Sequence, residues 1–255
     1  MQKAIIGGTG MYDIGEDSYT SKIATKYGEV EVDIISIQGE KIAFLPRHGR
    51  EHSVPPHLIN YRANMMALKD IGVKYIYSTV AVGSMNENFV PGDVVIIKDF
   101  IDFTKNRPVT FYEGGEEGVI HVDMTEPYCR NLNNLFIEES KDSIFIKGDG
   151  VYVCTEGPRF ETSSEIKMYR KIGGDVVGMT NVPEVILAKE LGMCYSAIGI
   201  VTNWCTGIET SKFTIHDITG SVEKNKKEIT QIFIKVFMKE LDQNKCRCKD
   251  SLIKL

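Results

Sequence analysis

Short apolar, β-branched runs recur along this chain with helix-like stretches between them, and that alternation leaves few architectures open. Residues 30–37, 42–45, 75–82, 94–97, 151–154, 175–178 and 194–201 read as buried strands. A further run, Ala4-Ile5-Ile6, precedes them. Residues 60–71 carry apolar side chains at helical spacing. Thr162-Ser163-Ser164-Glu165 is a capping box, which predicts a helix to about residue 172. Asn181-Val182-Pro183-Glu184 predicts another through Leu191, with proline tolerated in its first turn. A last amphipathic helix is expected over residues 218–241. The pattern predicts one α/β domain over residues 1–242, a doubly wound sheet with helices on both faces, and a polar C-terminal tail at 243–255. Chemistry is then expected in the loops at strand ends.

At 255 residues the chain can bury one large core. Its net charge of −5, with basic groups that are local and not spread as a stripe, argues against a nucleic-acid partner. No apolar run reaches membrane-spanning length, and the first strand leaves no room for a signal peptide, so the expected location is cytoplasmic. Cys129, Cys154, Cys194, Cys205, Cys246 and Cys248 lack paired zinc-type spacing and read as reduced thiols, the last two in a solvated tail. His48 and His52 have the i, i+4 spacing of a zinc pair, but Pro46, Gly49 and Pro55-Pro56 disfavour the helix this requires. No metal site is expected.

The loops carry more information. Leu45-Pro46-Arg47-His48-Gly49-Arg50-Glu51-His52 presents guanidinium and imidazole groups from a loop after an apolar strand, a seat suited to an oxyanion such as phosphate. Ile6-Gly7-Gly8-Thr9-Gly10 supplies glycines and a hydroxyl after the first strand, although a tight turn explains Gly7 and Gly8 equally well. The dinucleotide spacing G-x-G-x-x-G is absent, which counts against an NAD enzyme. The stretches 78–84 and 175–180 also end strands in small or hydroxyl residues, the second just before a helix N-terminus.

Five motifs then fall in one order: G-G-T-G at 7–10, P-R-H-G-R-x-H at 46–52, E-G-P-R-F-E-T at 156–162, G-M-T-N-V-P-E-V at 178–185 and T-N-W at 202–204. In this the chain resembles the trimeric nucleoside phosphorylases, most of all their methylthioadenosine phosphorylase branch, over roughly residues 3–240. The resemblance implies an α/β fold with a mixed, partly barrel-like central sheet, and assembly as a homotrimer or dimer of trimers. It implies phosphorolysis of purine nucleosides with inorganic phosphate as co-substrate and no metal or organic cofactor. Thr9, Arg47, His48, Val80, Ala81 and Thr180 match the phosphate site, and Met179 the residue under the ribose. Val80 stands where methylthioadenosine enzymes tend to have threonine, so only its backbone is available to the anion. Asn203 matches the group facing N7 of the base, with Trp204 and Cys205 beside it. His121 resembles a residue that reaches the sugar of the neighbouring subunit, and an ordinary surface histidine is the alternative.

Three positions depart from the methylthioadenosine pattern in one direction. Asn203 replaces an acid, and its amide can donate to O6 and accept from a protonated N7. Glu161 replaces a serine, and its carboxylate can accept N1–H of a 6-oxopurine. His216 replaces an apolar residue beside the methylthio group and can bond a 5′-hydroxyl. Each has a plainer reading: a turn residue, a helix-N-terminal acid and a loop residue. Together they predict a 6-oxopurine nucleoside phosphorylase acting on inosine and guanosine, with a methylthioinosine or methylthioadenosine phosphorylase as the alternative. A non-catalytic nucleoside-binding protein is the rival from another class.

Overall fold

The computed structural model describes residues 1–8, 18–51, 53–208 and 215–255, with the side chains of 117 and 215–224 outside the description. In chain order the strands are β1 (Lys3–Gly7), β2 (Ser18–Thr25), β3 (Gly28–Ile37), β4 (Glu40–Pro46), β5 (Tyr75–Ser84), β6 (Val94–Phe103), β7 (Ile120–Val122), β8 (Ile146–Thr155), β9 (Val176–Gly178), β10 (Cys194–Trp204) and β11 (Leu252–Lys254). The helices are α1 (Tyr61–Asp70), α2 (Arg130–Ser140), α3 (Ser163–Lys171), α4 (Asn181–Glu190) and α5 (Ile215–Phe237).

Nine strands form one mixed sheet in the order β10-β6-β8-β9-β5-β1-β4-β3-β2. Strand β10 also pairs with β5, so β10, β6, β8, β9 and β5 close into a ring while β1 to β4 extend from it as an open wing. This is the expected α/β fold with a partly barrel-like sheet. Alternation along the strands feeds two cores. Ala4, Ile6 and Ile76 pack with α1 and α4, including Met65, Leu68, Val185 and Leu187. Ile5 and Tyr77, one residue out of phase, pack with α2 and α5, including Leu132, Phe136 and Phe233. The Tyr77 and Phe233 rings stack at 4.5 Å, and Tyr77 donates its hydroxyl to the Leu132 carbonyl, so the buried oxygen is satisfied.

The Thr162–Glu165 capping box forms as the sequence predicts, with both reciprocal bonds present. Helix α5 begins and ends earlier than the expected 218–241. In α4, Val182 is extended (φ −113°, ψ 128°), because the proline that follows disfavours helical backbone before it. The expected solvated tail is corrected. Residues 243–255 make two short turns and then β11, which pairs antiparallel with β7, and Cys248 is buried. Hydrogen bonds from Gln243 to the Gly192 carbonyl and from Ser251 to the Lys189 carbonyl, with buried Cys248, hold this segment to the body, and these long-range partners leave no mark in the local sequence.

Candidate active site

A cavity of about 290 Å³ opens where β9 crosses the carboxyl end of β5. That is the low end of the roughly 300–1,000 Å³ range of small-molecule sites. Its walls come from the ends of β1, β4, β5, β9 and β10 and from the loop after β8. The structure thus gathers Arg47, His48, Ala81, Glu161, Met179, Thr180, Asn203 and Cys205 around one space, although the sequence spreads them over more than half its length.

At one end Arg47 follows β4 but does not fan outward as the loop's composition suggests. Its guanidinium is buried and pairs bidentately with Glu184 of α4, Nε and Nη2 each donating across 2.7 Å. Nη1 donates to the Thr79 carbonyl at 3.0 Å, and Nη2 also donates to the Ser78 hydroxyl. Burial pulls the guanidinium pKa down, but the charge and hydrogen bonds of Glu184 more than reverse this and hold it above its ordinary value. Glu184 is fully buried and also accepts from Tyr195, whose oxygen takes Asn181 Nδ2–H at 3.0 Å. The remaining Nη1 hydrogen lies beside Gly8, which has room for no side chain: a Cβ there meets the Thr79 carbonyl at 2.5 Å and Arg47 Nη1 at 3.0 Å. His48 Nδ1 sits 2.8 Å from the Val54 carbonyl. A carbonyl only accepts, so the proton is on Nδ1. Arg50, by contrast, turns to Asp33 and Thr20 at the surface.

At the other end Glu161 and Asn203 are both buried side chains on the cavity wall. Glu161 accepts from Thr155 Oγ1 at 2.6 Å. Asn203 accepts from Thr202 Oγ1 at 2.7 Å and donates to the Trp204 carbonyl at 2.9 Å. Cys205 lies close by, and burial, helped by the Glu161 charge, pushes its thiol well up, which keeps it an un-ionised wall group. Between the ends run Ala81 to Gly83 of β5 and the Gly178–Thr180 segment. Gly178 is required there, since a Cβ would meet the Tyr152 hydroxyl at 2.2 Å, and that hydroxyl takes the Thr180 N–H at 3.2 Å.

Some expected residues sit elsewhere. Val80 packs in the core and does not line the cavity, which β5 walls from Ala81 to Gly83. Trp204, between Asn203 and Cys205, is not part of the cavity lining. His121 lies exposed on β7, opposite Ile253 of β11, and off the cavity of its own chain. Thr9 and His52 lie outside the described residues, as does the side chain of His216. Sequence reasoning missed Glu184, Ser78, Thr79 and Tyr195. For Glu184 a signal existed: an acid within the apolar run Val182 to Ala188 demands a buried cation.

Against known proteins, residues 3–237 match the family described as Phosphorylase superfamily. The chain belongs to the phosphorylase superfamily. It is 52% identical to a probable 6-oxopurine nucleoside phosphorylase of Dictyoglomus turgidum, over 99% of this chain and 97% of that one. It is 44% identical to a probable S-methyl-5′-thioinosine phosphorylase of Methanothermobacter thermautotrophicus, over 97% of this chain and 88% of that one. In three dimensions it is similar to the methylthioadenosine phosphorylase of Schistosoma mansoni solved with adenine, with a TM-score of 0.87 and 30% identity over 96% of this chain and 94% of that one. As a superfamily member it is a phosphorylase enzyme, and its cavity lies where the strand ends of this fold converge.

Proposed function

We propose that the protein is a purine nucleoside phosphorylase that cleaves inosine and guanosine with phosphate, giving the free 6-oxopurine and ribose 1-phosphate for purine salvage. One observation carries this reading: Glu161 and Asn203 stand on the wall of the same cavity as Arg47, His48 and Thr180. Along β5 the Arg47 bond at Thr79 and the Gly83 position paired with Asn203 of β10 are four residues apart, about 13 Å at the usual rise. That spacing suits an anion, a sugar and a base in a row.

The chemistry follows from these groups. Phosphate is the nucleophile, so neither a serine nor a cysteine need be activated. Arg47 Nη1, His48 and the Thr180 segment, together with Thr9, hold it under C1′. They also place negative charge beside a sugar that becomes oxocarbenium-like as the glycosidic bond stretches. Because Glu184 already neutralises much of Arg47, the anion is gripped by directed N–H groups more than by net charge. As C–N cleavage leaves electron density on the purine, Asn203 donates to O6 and accepts from a protonated N7, while Glu161 takes N1–H. To reach a base, the Asn203 amide gives up its local bonds to Thr202 and Trp204. Met179 lies under the ribose. The reaction needs no metal or organic cofactor.

The 6-oxo preference also accords with the relative named for 6-oxopurine nucleosides. The relative named for methylthioinosine favours a second reading with the same base contacts and a different 5′ group. We assign the cytoplasm as its location and a homotrimer or dimer of trimers as its assembly. Exposed Val119, Leu252, Ile253 and Leu255 beside the small β7–β11 sheet that carries His121 support a subunit contact there. The test is release of free base from inosine, guanosine, adenosine, methylthioinosine and methylthioadenosine, with and without phosphate. Phosphate-dependent release from inosine and guanosine, with little from adenosine, is expected. Preference for methylthioadenosine overturns the reading. His216→Val should flatten the preference for inosine over methylthioinosine while leaving hypoxanthine favoured over adenine. Parallel losses on both substrates would remove His216 from the sugar.

A further inference from the structure

Four cysteines that the sequence scatters come together outside the cavity lining. Cys129 is the N-cap of α2, Cys194 begins β10, and Cys246 and Cys248 belong to the turns that precede β11. Their Sγ atoms all lie within 4.8 Å of one another, and Cys194 and Cys246 approach to 3.4 Å. Cys129, Cys194 and Cys248 are buried, and none of the four lines the cavity. The other two cysteines behave differently: Cys154 and Cys205 pack singly among apolar neighbours, as inert thiols do.

We propose that Cys129, Cys194, Cys246 and Cys248 form a tetrathiolate site for a soft divalent cation, zinc(II) by its chemistry, which clamps the C-terminal segment to the sheet. The geometry fits. Four sulfurs about 2.3 Å from a tetrahedral zinc stand about 3.8 Å apart, a value that falls between the 3.4 Å of Cys194 and Cys246 and the 4.8 Å within which all four sulfurs lie. Its ligands come from three separate segments, so small shifts of the Cys246–Cys248 turns adjust the tetrahedron without disturbing α2 or β10. Binding replaces four S–H bonds with four Zn–S bonds and releases the protons to solvent, leaving a local charge of −2.

The surroundings answer that charge. The N-terminal end of the eleven-residue α2 meets Cys129, placing its positive dipole end at the sulfur. Gln243 Nε2 lies 3.7 Å from Cys194 Sγ and is anchored on the Gly192 carbonyl at 2.9 Å, a second-layer N–H to a bound thiolate. Lys245, Arg247 and Lys249 flank the two tail cysteines. The apolar cluster containing Tyr75, Leu132 and Phe237 closes the other side against water. The site is structural: it fixes the turn that delivers β11 to β7.

The experiment uses the full chain, purified with reductant and stripped with a chelator. Zinc(II) alone should bind at one equivalent per chain and raise the unfolding temperature by several degrees. Cobalt(II) should give the intense sulfur-to-metal charge-transfer band and the visible bands of a tetrahedral thiolate site. The Cys246→Ser/Cys248→Ser double variant should lose both signals and keep phosphate-dependent base release at moderate temperature. Should that variant fail to fold, the cobalt spectrum of the wild type still decides. Absence of stoichiometric uptake by the reduced chain overturns the proposal. So does uptake that survives the double variant, or an intact mass under non-reducing conditions that shows these cysteines paired as disulfides.

Discussion

The two ends of the cavity are built on different principles. At the proposed phosphate end, Arg47 is locked by Glu184, Ser78 and Thr79 inside the core, with Tyr195 and Asn181 bracing the acid behind it. At the proposed base end, Glu161 leans on one threonine and Asn203 on its own chain neighbours. The first arrangement ties the anion seat to the fold, so damage there should register as instability. The second leaves polar groups that can turn towards a ligand, so damage there should register as altered substrate choice.

The sharpest way to break this contrast is Glu184→Ala. It leaves the Arg47 charge buried without its partner, for which a cost of about 3–5 kcal/mol is expected. Denaturant unfolding measures it, and a loss below about 1 kcal/mol would mean that the pair is not a structural support. Next comes Arg47→Ala, which should raise the phosphate KM and lower turnover well beyond Arg50→Ala. Among the described residues Arg50 bonds Asp33, Glu31 and Thr20 from a partly exposed position, where such pairs contribute roughly 0–1 kcal/mol. Phosphate saturation curves for the two variants check the order. If they match each other, Arg47 does not meet the anion.

At the base end the expected effect is smaller and of another kind. Asn203→Asp should weaken inosine cleavage by about 1–3 kcal/mol in kcat/KM and admit some adenosine, since a carboxylate accepts from a 6-amino group but opposes O6. Folding stability should stay close to wild type, because among the described residues the amide is bonded to its chain neighbours Thr202 and Trp204. An unchanged inosine rate removes Asn203 from the base edge. A large loss of stability would erase the distinction between the two ends.

What was legible in the sequence divides along the same line. Strand 75–82 is visible because burial on both faces leaves it almost entirely apolar or small, and strand 30–37 because Val30 and Val32 flank the exposed Glu31 in strand alternation. The capping box at Thr162 is visible because its partners are three residues apart. Arg47 and its loop stood out by composition, but the partner that orients the guanidinium is 137 residues away, a distance no local pattern spans. The cysteine cluster is hidden for the same reason, with ligands in α2, β10 and the segment before β11. Helix α2 itself escaped notice because its polar run Arg130-Asn131-Leu132-Asn133-Asn134 exposes little periodicity, although Leu132 and Phe136 are fully buried.

The smallest expected effect sits just beyond the base end and tests whether its scaffold is separable from its chemistry. Glu165 closes the capping box that starts α3, taking the Thr162 N–H at 2.7 Å and pairing with Arg159. The Arg159 guanidinium, and after it the Thr162 N–H, hold this carboxyl down to about 2. A carboxyl depressed in the folded state adds stability above its ordinary pKa, and that contribution fades as pH falls from about 4.5 towards 2. Glu165→Ala should therefore cost about 0.5–1 kcal/mol near neutral pH, a value kept small by the exposure of Arg159. The gap between wild type and variant should narrow as the pH is lowered through the acid range. Unfolding free energies of both proteins at a series of pH values read this directly. Glu161, four residues earlier, faces the cavity and not the cap, so inosine selectivity should be unaltered in the Glu165 variant. A change in selectivity would show that the helix start positions Glu161, and the base end would then share the fold-bound character of the phosphate end.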